Sequence, residues 1–215
     1  MEENVLYAPM TLNQPAAALA PVGIATSAPL PPSQARTAIS VRSTRLNVLD
    51  GDAATVTGTL RPGLSGRVVT LQALGSRGWR SVARARTHAG GRFELRFSRH
   101  RTGSERVRVR FAGDASDLAS HRRLGWLNTF RLAGASWYGG GGGLACGGTL
   151  TNATMGVANK TLPCGTLVTL RYGGRSVRVP VIDRGPYVAG REFDLTVATK
   201  EALGFGDTGD VWSTR

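Results

Sequence analysis

From about Thr37 to Phe111 apolar and polar residues alternate with a period of two. Phe93, Leu95 and Phe97 are interleaved with Arg92, Glu94 and Arg96, and Val107, Val109 and Phe111 with Arg106, Arg108 and Arg110. Such alternation sends one set of side chains inward and the other into water. Turn-forming groups separate the runs: Arg61-Pro62-Gly63, Ser76-Arg77-Gly78, Ala89-Gly90-Gly91 and Thr102-Gly103. Short strands at this spacing, with no helical segment between them, predict an antiparallel β-sandwich over residues 36–114.

The pattern changes on either side. Residues 1–35 are rich in Ala and Pro and too poor in apolar periodicity to pack, which predicts a disordered leader or the remnant of an export segment. Residues 115–133 read as a connector. Residues 134–215 are Gly-rich, with short apolar strands at Leu167–Tyr172 and Val177–Ile182 and one helical pattern at Thr196–Leu203. A mostly β unit this small has a limited core, so a covalent staple would help it. Cys146 and Cys164 are the only cysteines. As a disulfide they would contribute roughly 3 kcal/mol in the chain-entropy model; the alternative is two buried free thiols. All three histidines (His88, His100, His121) lie outside this unit, which argues against a Cys/His metal site.

Charge divides the chain further. Of its 215 residues, 34–131 hold 19 basic and 6 acidic side chains, whereas 132–215 hold 8 and 6. A cationic body of this kind attracts polyanions. Two readings stand side by side: a solvated outer sheet face, or a polyanion-binding face, whether for nucleic acid, anionic lipid or acidic wall polymers. Nucleic acid is the weakest partner class, because no nucleic-acid motif accompanies the charge and few aromatics are interleaved with it. No run of 18 apolar residues predicts a membrane span.

The second unit carries specific motifs. Ala135-Ser136-Trp137-Tyr138-Gly139 opens it, and Lys160-Thr161-Leu162-Pro163-Cys164-Gly165-Thr166 lies in its middle. Asp183-Arg184-Gly185-Pro186-Tyr187, Arg191-Glu192-Phe193-Asp194-Leu195-Thr196 and Leu203-Gly204 follow in order. Over about 80 residues this resembles the RlpA-like double-psi β-barrel, whose barrel is shared by expansins and barwin-like proteins. More weakly, Arg110-Phe111-Ala112-Gly113-Asp114 is similar to the closing strand of bacterial immunoglobulin-like repeats. Together they imply an all-β chain, an immunoglobulin-like β-sandwich followed by a six-stranded double-psi β-barrel.

The resemblance implies a secreted or cell-envelope protein whose groove takes peptidoglycan or another wall polysaccharide, with no cofactor and no metal. It implies lytic transglycosylase chemistry, a lyase reaction that one carboxyl group can run. Asp183 is the matching acid and Asp194, similar to the expansin acid, the second candidate. Each has a structural alternative: Asp183 as a cap of the Gly185-Pro186 turn, Asp194 as the N-cap of the helix. Trp137, Tyr138, Asn159, Arg184 and Tyr187 are the candidate substrate contacts, with Arg184 suited to a peptide-stem carboxylate; for the aromatics, Tyr172 and Trp212 included, core packing is the alternative. The family carries a Glu and a His where this chain has Gly148 and Asn159. Asn159 can hydrogen-bond a sugar but cannot shuttle a proton. A non-catalytic, expansin-like wall-binding or wall-loosening module is therefore the alternative to the enzyme.

Overall fold

The computed structural model describes residues 34–215, so the leader expected at the start lies outside the described residues up to position 33. The first eight strands are β1 (Ala38–Arg45), β2 (Asn47–Leu49), β3 (Ala54–Arg61), β4 (Val68–Gly75), β5 (Gly78–Arg86), β6 (Arg92–Phe97), β7 (Gly103–Phe111) and β8 (Ser120–Tyr138). After them come β9 (Gly142–Gly143), β10 (Thr149–Leu150), β11 (Val157–Ala158), β12 (Leu167–Tyr172), β13 (Arg175–Asp183), β14 (Phe193–Thr196), α1 (Val197–Leu203) and β15 (Gly209–Ser213).

The alternating region folds as two packed sheets. Strands β1, β3 and β6 form one; β5, β4, β7 and the first half of β8 form the other. Val56, Leu60, Phe93 and Leu95 from the first sheet meet Val69, Leu71, Val107, Val109 and Leu127 from the second in one buried core. Arg92, Glu94 and Arg96 stay outside, as their phase requires. Gly58 occupies an inward position of β3. A Cβ there would lie 2.3 Å from the Ser40 carbonyl oxygen and 2.7 Å from the Phe93 ring, so the missing side chain is what lets β1 and Phe93 close over the strand.

The stretch 115–133, expected as a connector, is mostly strand. In β8, residues 120–129 pair antiparallel with β7, and the same strand continues into the second unit, pairing antiparallel with β15 and parallel with β14. The sandwich therefore extends past Asp114, and the second unit begins inside a strand. Periodicity hid this because Ser120–Arg123 is polar throughout and Leu124 is the extra residue of a bulge beside Gly125.

The second unit closes on itself as a six-strand ring, β8–β14–β11–β13–β12–β15 and back to β8. Ala133, Ala135, Val157, Leu170, Val181, Phe193, Leu195 and Leu203 fill it. Helix α1 starts one residue later than its pattern suggests. Thr196 is the N-cap, its side chain accepting from the Thr199 N–H, and Gly204 ends the helix in the left-handed conformation. Cys146 and Cys164 are joined in a disulfide. No described helix is long and apolar enough to cross a membrane.

Candidate functional site

Strand β11 is only two residues long, yet it sets the site. Ala158 pairs with Asp183 of β13 on one side and with Asp194 of β14 on the other. The two acids thus flank a single strand, about 10 Å apart at the backbone from two strand spacings.

Asp183 ends β13. Its Oδ1 accepts the Arg184 N–H and the Ala145 N–H, each at 2.9 Å. The first is a local bond to the next residue. The second reaches across 38 residues, and it is available because the neighbouring Cys146 N–H binds the Ile182 carbonyl and the disulfide ties Cys146 to Cys164. Asp194 accepts a hydrogen bond from the Ser136 hydroxyl. It does not cap the helix, a role that falls to Thr196.

Tyr138 lies two residues beyond Ser136 on the same face of β8. Its hydroxyl is shut off from water without a hydrogen bond of good geometry among the described residues. Burial, then the charge and proximity of Asp183, then the charge of Asp194 push its pKa far above the ordinary tyrosine value. The phenol is thus kept neutral beside Asp183 and Asp194.

Three other candidates stand elsewhere or are already engaged. Asn159 is buried, 4% exposed. Its Oδ1 accepts the Thr161 and Leu162 N–H groups and its Nδ2 donates to the Glu192 carbonyl, so its polar atoms close the loop. Arg184 donates through Nη1 to the carbonyls of Asn159 and Leu162 and through Nη2 to Cys164 Sγ. The guanidinium expected to grip a substrate carboxylate is pinned to that same loop. Trp137 points away from Tyr138 on the other face of β8. Its indole N–H donates to Asp207 and the Lys200 ammonium lies 3.8 Å from its ring centroid; Lys200 and the indole together hold Asp207 below the usual carboxylate range.

Of the remaining aromatics, Tyr187 stands free, 79% exposed, after the Gly185-Pro186 turn. Half-buried Trp212 packs on Phe130, and Tyr172 meets Phe205 edge-on while staying exposed at the surface. Gly148 has a φ of +87° with open space where a Cβ would point. A glutamate there would have room but would adopt a backbone that costs an L-residue about 1–2 kcal/mol.

Sequence reading gave no role to Ser136, which holds Asp194, or to the Ala145 N–H, which holds Asp183. Ser136 sits in the opening motif beside Trp137 and could have been flagged there; a backbone N–H leaves no mark in sequence. Glu192, within the Arg191–Thr196 motif, is paired with Arg131 at the edge of a cleft of about 460 Å³ that Asn159, Lys160 and Arg191 help to line. Among the described residues no group of three or more His, Cys, Asp or Glu side chains is placed to hold a metal ion.

Residues 132–211 match a family model described as lytic transglycolase. A probable endolytic peptidoglycan transglycosylase RlpA of Aquifex aeolicus is 44% identical over 75 residues, 33% of this chain and 33% of that protein. The endolytic peptidoglycan transglycosylase RlpA of Pseudomonas aeruginosa is 41% identical over 86 residues, 37% of this chain and 25% of that one. Among solved structures, a Streptomyces papain inhibitor aligns with 39% of this chain and 91% of its own, at 25% identity and a TM-score of 0.33. The chain spans a quarter to a third of the length of these two curated relatives. With its closed ring of six strands, its motifs in order from Ala135 to Gly204 and this match across 132–211, the C-terminal part of the chain belongs to the RlpA-like double-psi β-barrels.

Proposed function

We propose that this is a protein of the cell envelope whose barrel grips peptidoglycan glycan strands over the Tyr138–Asp183–Asp194 surface and cleaves them as a lytic transglycosylase. The observation that carries the reading is the pairing of β11 with both acid-bearing strands, inside a segment matched by the lytic transglycolase family model. Asp183 is the proton-transfer group in this proposal. Protonated, it gives its proton to the glycosidic oxygen as the C1–O4 bond breaks. As a carboxylate it then takes the proton from the sugar's own 6-hydroxyl as that oxygen closes on C1. No water is consumed, unlike hydrolysis between two carboxyls. Ala145 and Arg184 N–H groups orient Asp183, the neutral Tyr138 phenol stands beside it, and Tyr187 offers a free ring to a sugar face. The basic sandwich holds the chain to anionic wall polymers.

A second reading is favoured by Gly148 and Asn159. The first has no side chain, and the second has turned its polar atoms into the loop. On that reading the barrel binds glycan without cutting it, as an expansin-like module.

Digestion of intact and amidase-stripped sacculi by the wild type and by Asp183→Asn separates the two. Products with 1,6-anhydro ends from the wild type alone, read by mass spectrometry, support cleavage through Asp183. Co-sedimentation without products supports the binding module. Neither products nor co-sedimentation removes peptidoglycan as the ligand.

A further inference from the structure

The sandwich sheet β5–β4–β7–β8 packs one face on the core and turns the other outward. Register sets the outward side chains in rows across the strands. Arg110 stands opposite His121 and Thr70, and Thr70 opposite Arg84. Arg108 stands opposite Arg123 and Gln72, and Gln72 opposite Ser81. The rows are about 7 Å apart along the strands. A cleft of about 570 Å³ lies on this face, lined by Thr70, Gln72, Ser81, Arg84 and Arg110 among others.

This is not an ordinary solvated face, for two reasons. Six of its cations lack counterions: among the described residues Arg84, Arg106, Arg108, Arg110, Arg123 and Arg178 form no ion pair, whereas Arg67, which with Asp114 also lines the cleft, is paired. The nearby carboxylates are engaged, Glu105 with Arg80 and Arg99, and Asp114 and Asp117 with Arg67. Three of the guanidiniums are also held in place. Arg108 lies 4.2 Å from the Trp79 ring centroid and donates through Nε to Gln72. Arg106 and Arg178 lie 5.2 and 4.2 Å from the Trp126 centroid. Arg178 comes from β13 of the barrel, so the face runs across both units. Partial burial and the charges of Arg110 and Arg123 hold Arg108 below the usual arginine pKa, as expected of cations gathered without an anion.

We infer that this face binds a phosphodiester-linked polyol chain, a proposal that rests on the cell-wall reading for where such a polymer is met and specifies its chemistry. All 19 basic residues between 34 and 131 are arginine. The planar guanidinium fork matches two phosphate oxygens at once, which a lysine ammonium does not. Ser81, exposed, and Thr70, half-buried, supply hydrogen bonds for polyol hydroxyls, while buried Gln72 holds Arg108. A base-bearing strand would need open aromatic faces for stacking, and both indoles of this face are already taken by guanidiniums.

The test is calorimetric titration of the full chain with poly(glycerol phosphate). Binding should weaken steeply with salt. Arg108→Gln with Arg110→Gln should weaken it about tenfold or more, and Arg178→Gln alone by several-fold, as lost charge-assisted bonds predict. Arg42→Gln with Arg92→Gln removes the same charge from the other sheet and should change affinity less than about twofold. Melting temperatures check that the variants fold, and Arg178, exposed on a separate strand, keeps the test valid if the double variant does not. An equal loss in the control pair, or equal binding of poly-glutamate, overturns the assignment in favour of undirected charge attraction. Equal or tighter binding of an oligothymidylate with the same number of phosphates overturns it in favour of nucleic acid. The Asp183→Asn variant should bind poly(glycerol phosphate) as the wild type does, so failure of the barrel reading leaves this result standing.

Discussion

Tyr138 shows how little of a residue's chemistry lies in its type. As one of several aromatics it was a candidate sugar contact; in the fold it is a buried phenol facing Asp183 and Asp194. A tyrosine whose folded pKa is raised binds its proton more tightly in the native than in the unfolded chain. Its contribution to stability is complete below the unfolded value of about 10 and is lost as pH rises from there toward the folded value. Tyr138→Phe should therefore lose less stability than the wild type between about pH 10 and the alkaline end of the titration, measured by urea unfolding at a series of pH values. The Phe variant should also turn over glycan more slowly if the phenol donates to the site. The acids themselves were legible, because Asp183 and Asp194 sit in motifs. The fate of Asn159 and Arg184 was not. Their types allow ligand contact, and only the closed loop shows that each bonds within it: Asn159 with the N–H groups two and three residues on, Arg184 with the carbonyls of Asn159 and Leu162.

Among the elements, the two-residue strand β11 and the loops around it decide the site. The disulfide joins the loop before β10 to the loop before β12, and both bear on Asp183: one through the Ala145 N–H, the other through Arg184. Replacing both cysteines by serine should cost about 3 kcal/mol of stability for a closed loop of this size, read by urea unfolding against the wild type with and without reductant. It should also weaken glycan binding beyond what the stability loss explains, since Ala145 would no longer be held on Asp183. Regular strands were readable wherever one face meets the core. Leu167–Tyr172 falls where its apolar run placed it, and β13 extends the Val177–Ile182 pattern by two residues at its start and one at its end. Strand β11 escaped because two residues have no period, and the first half of β8 because its polar start and its bulge interrupt the alternation.

Across the whole molecule, charge and topology act together. The cationic sandwich and the near-neutral barrel read as two units with separate work, and composition alone gave no reason to join them. The joint is β8, along which Leu127 packs in one core and Ala133 and Ala135 in the other, all on the same side of the strand. Strand parity is therefore part of the design. A single residue inserted between Arg131 and Leu132 would turn Ala133 and Ala135 outward and Ser136 and Tyr138 inward, whereas two would restore the phase. The one-residue insertion should leave the sandwich melting near its normal temperature and abolish the barrel's transition; the two-residue insertion should retain both, by calorimetry. Evolution of such a chain is constrained in the same arithmetic: its halves can be spaced further apart along β8 only in steps of two residues, and cannot be recombined at that point with partners of the opposite phase.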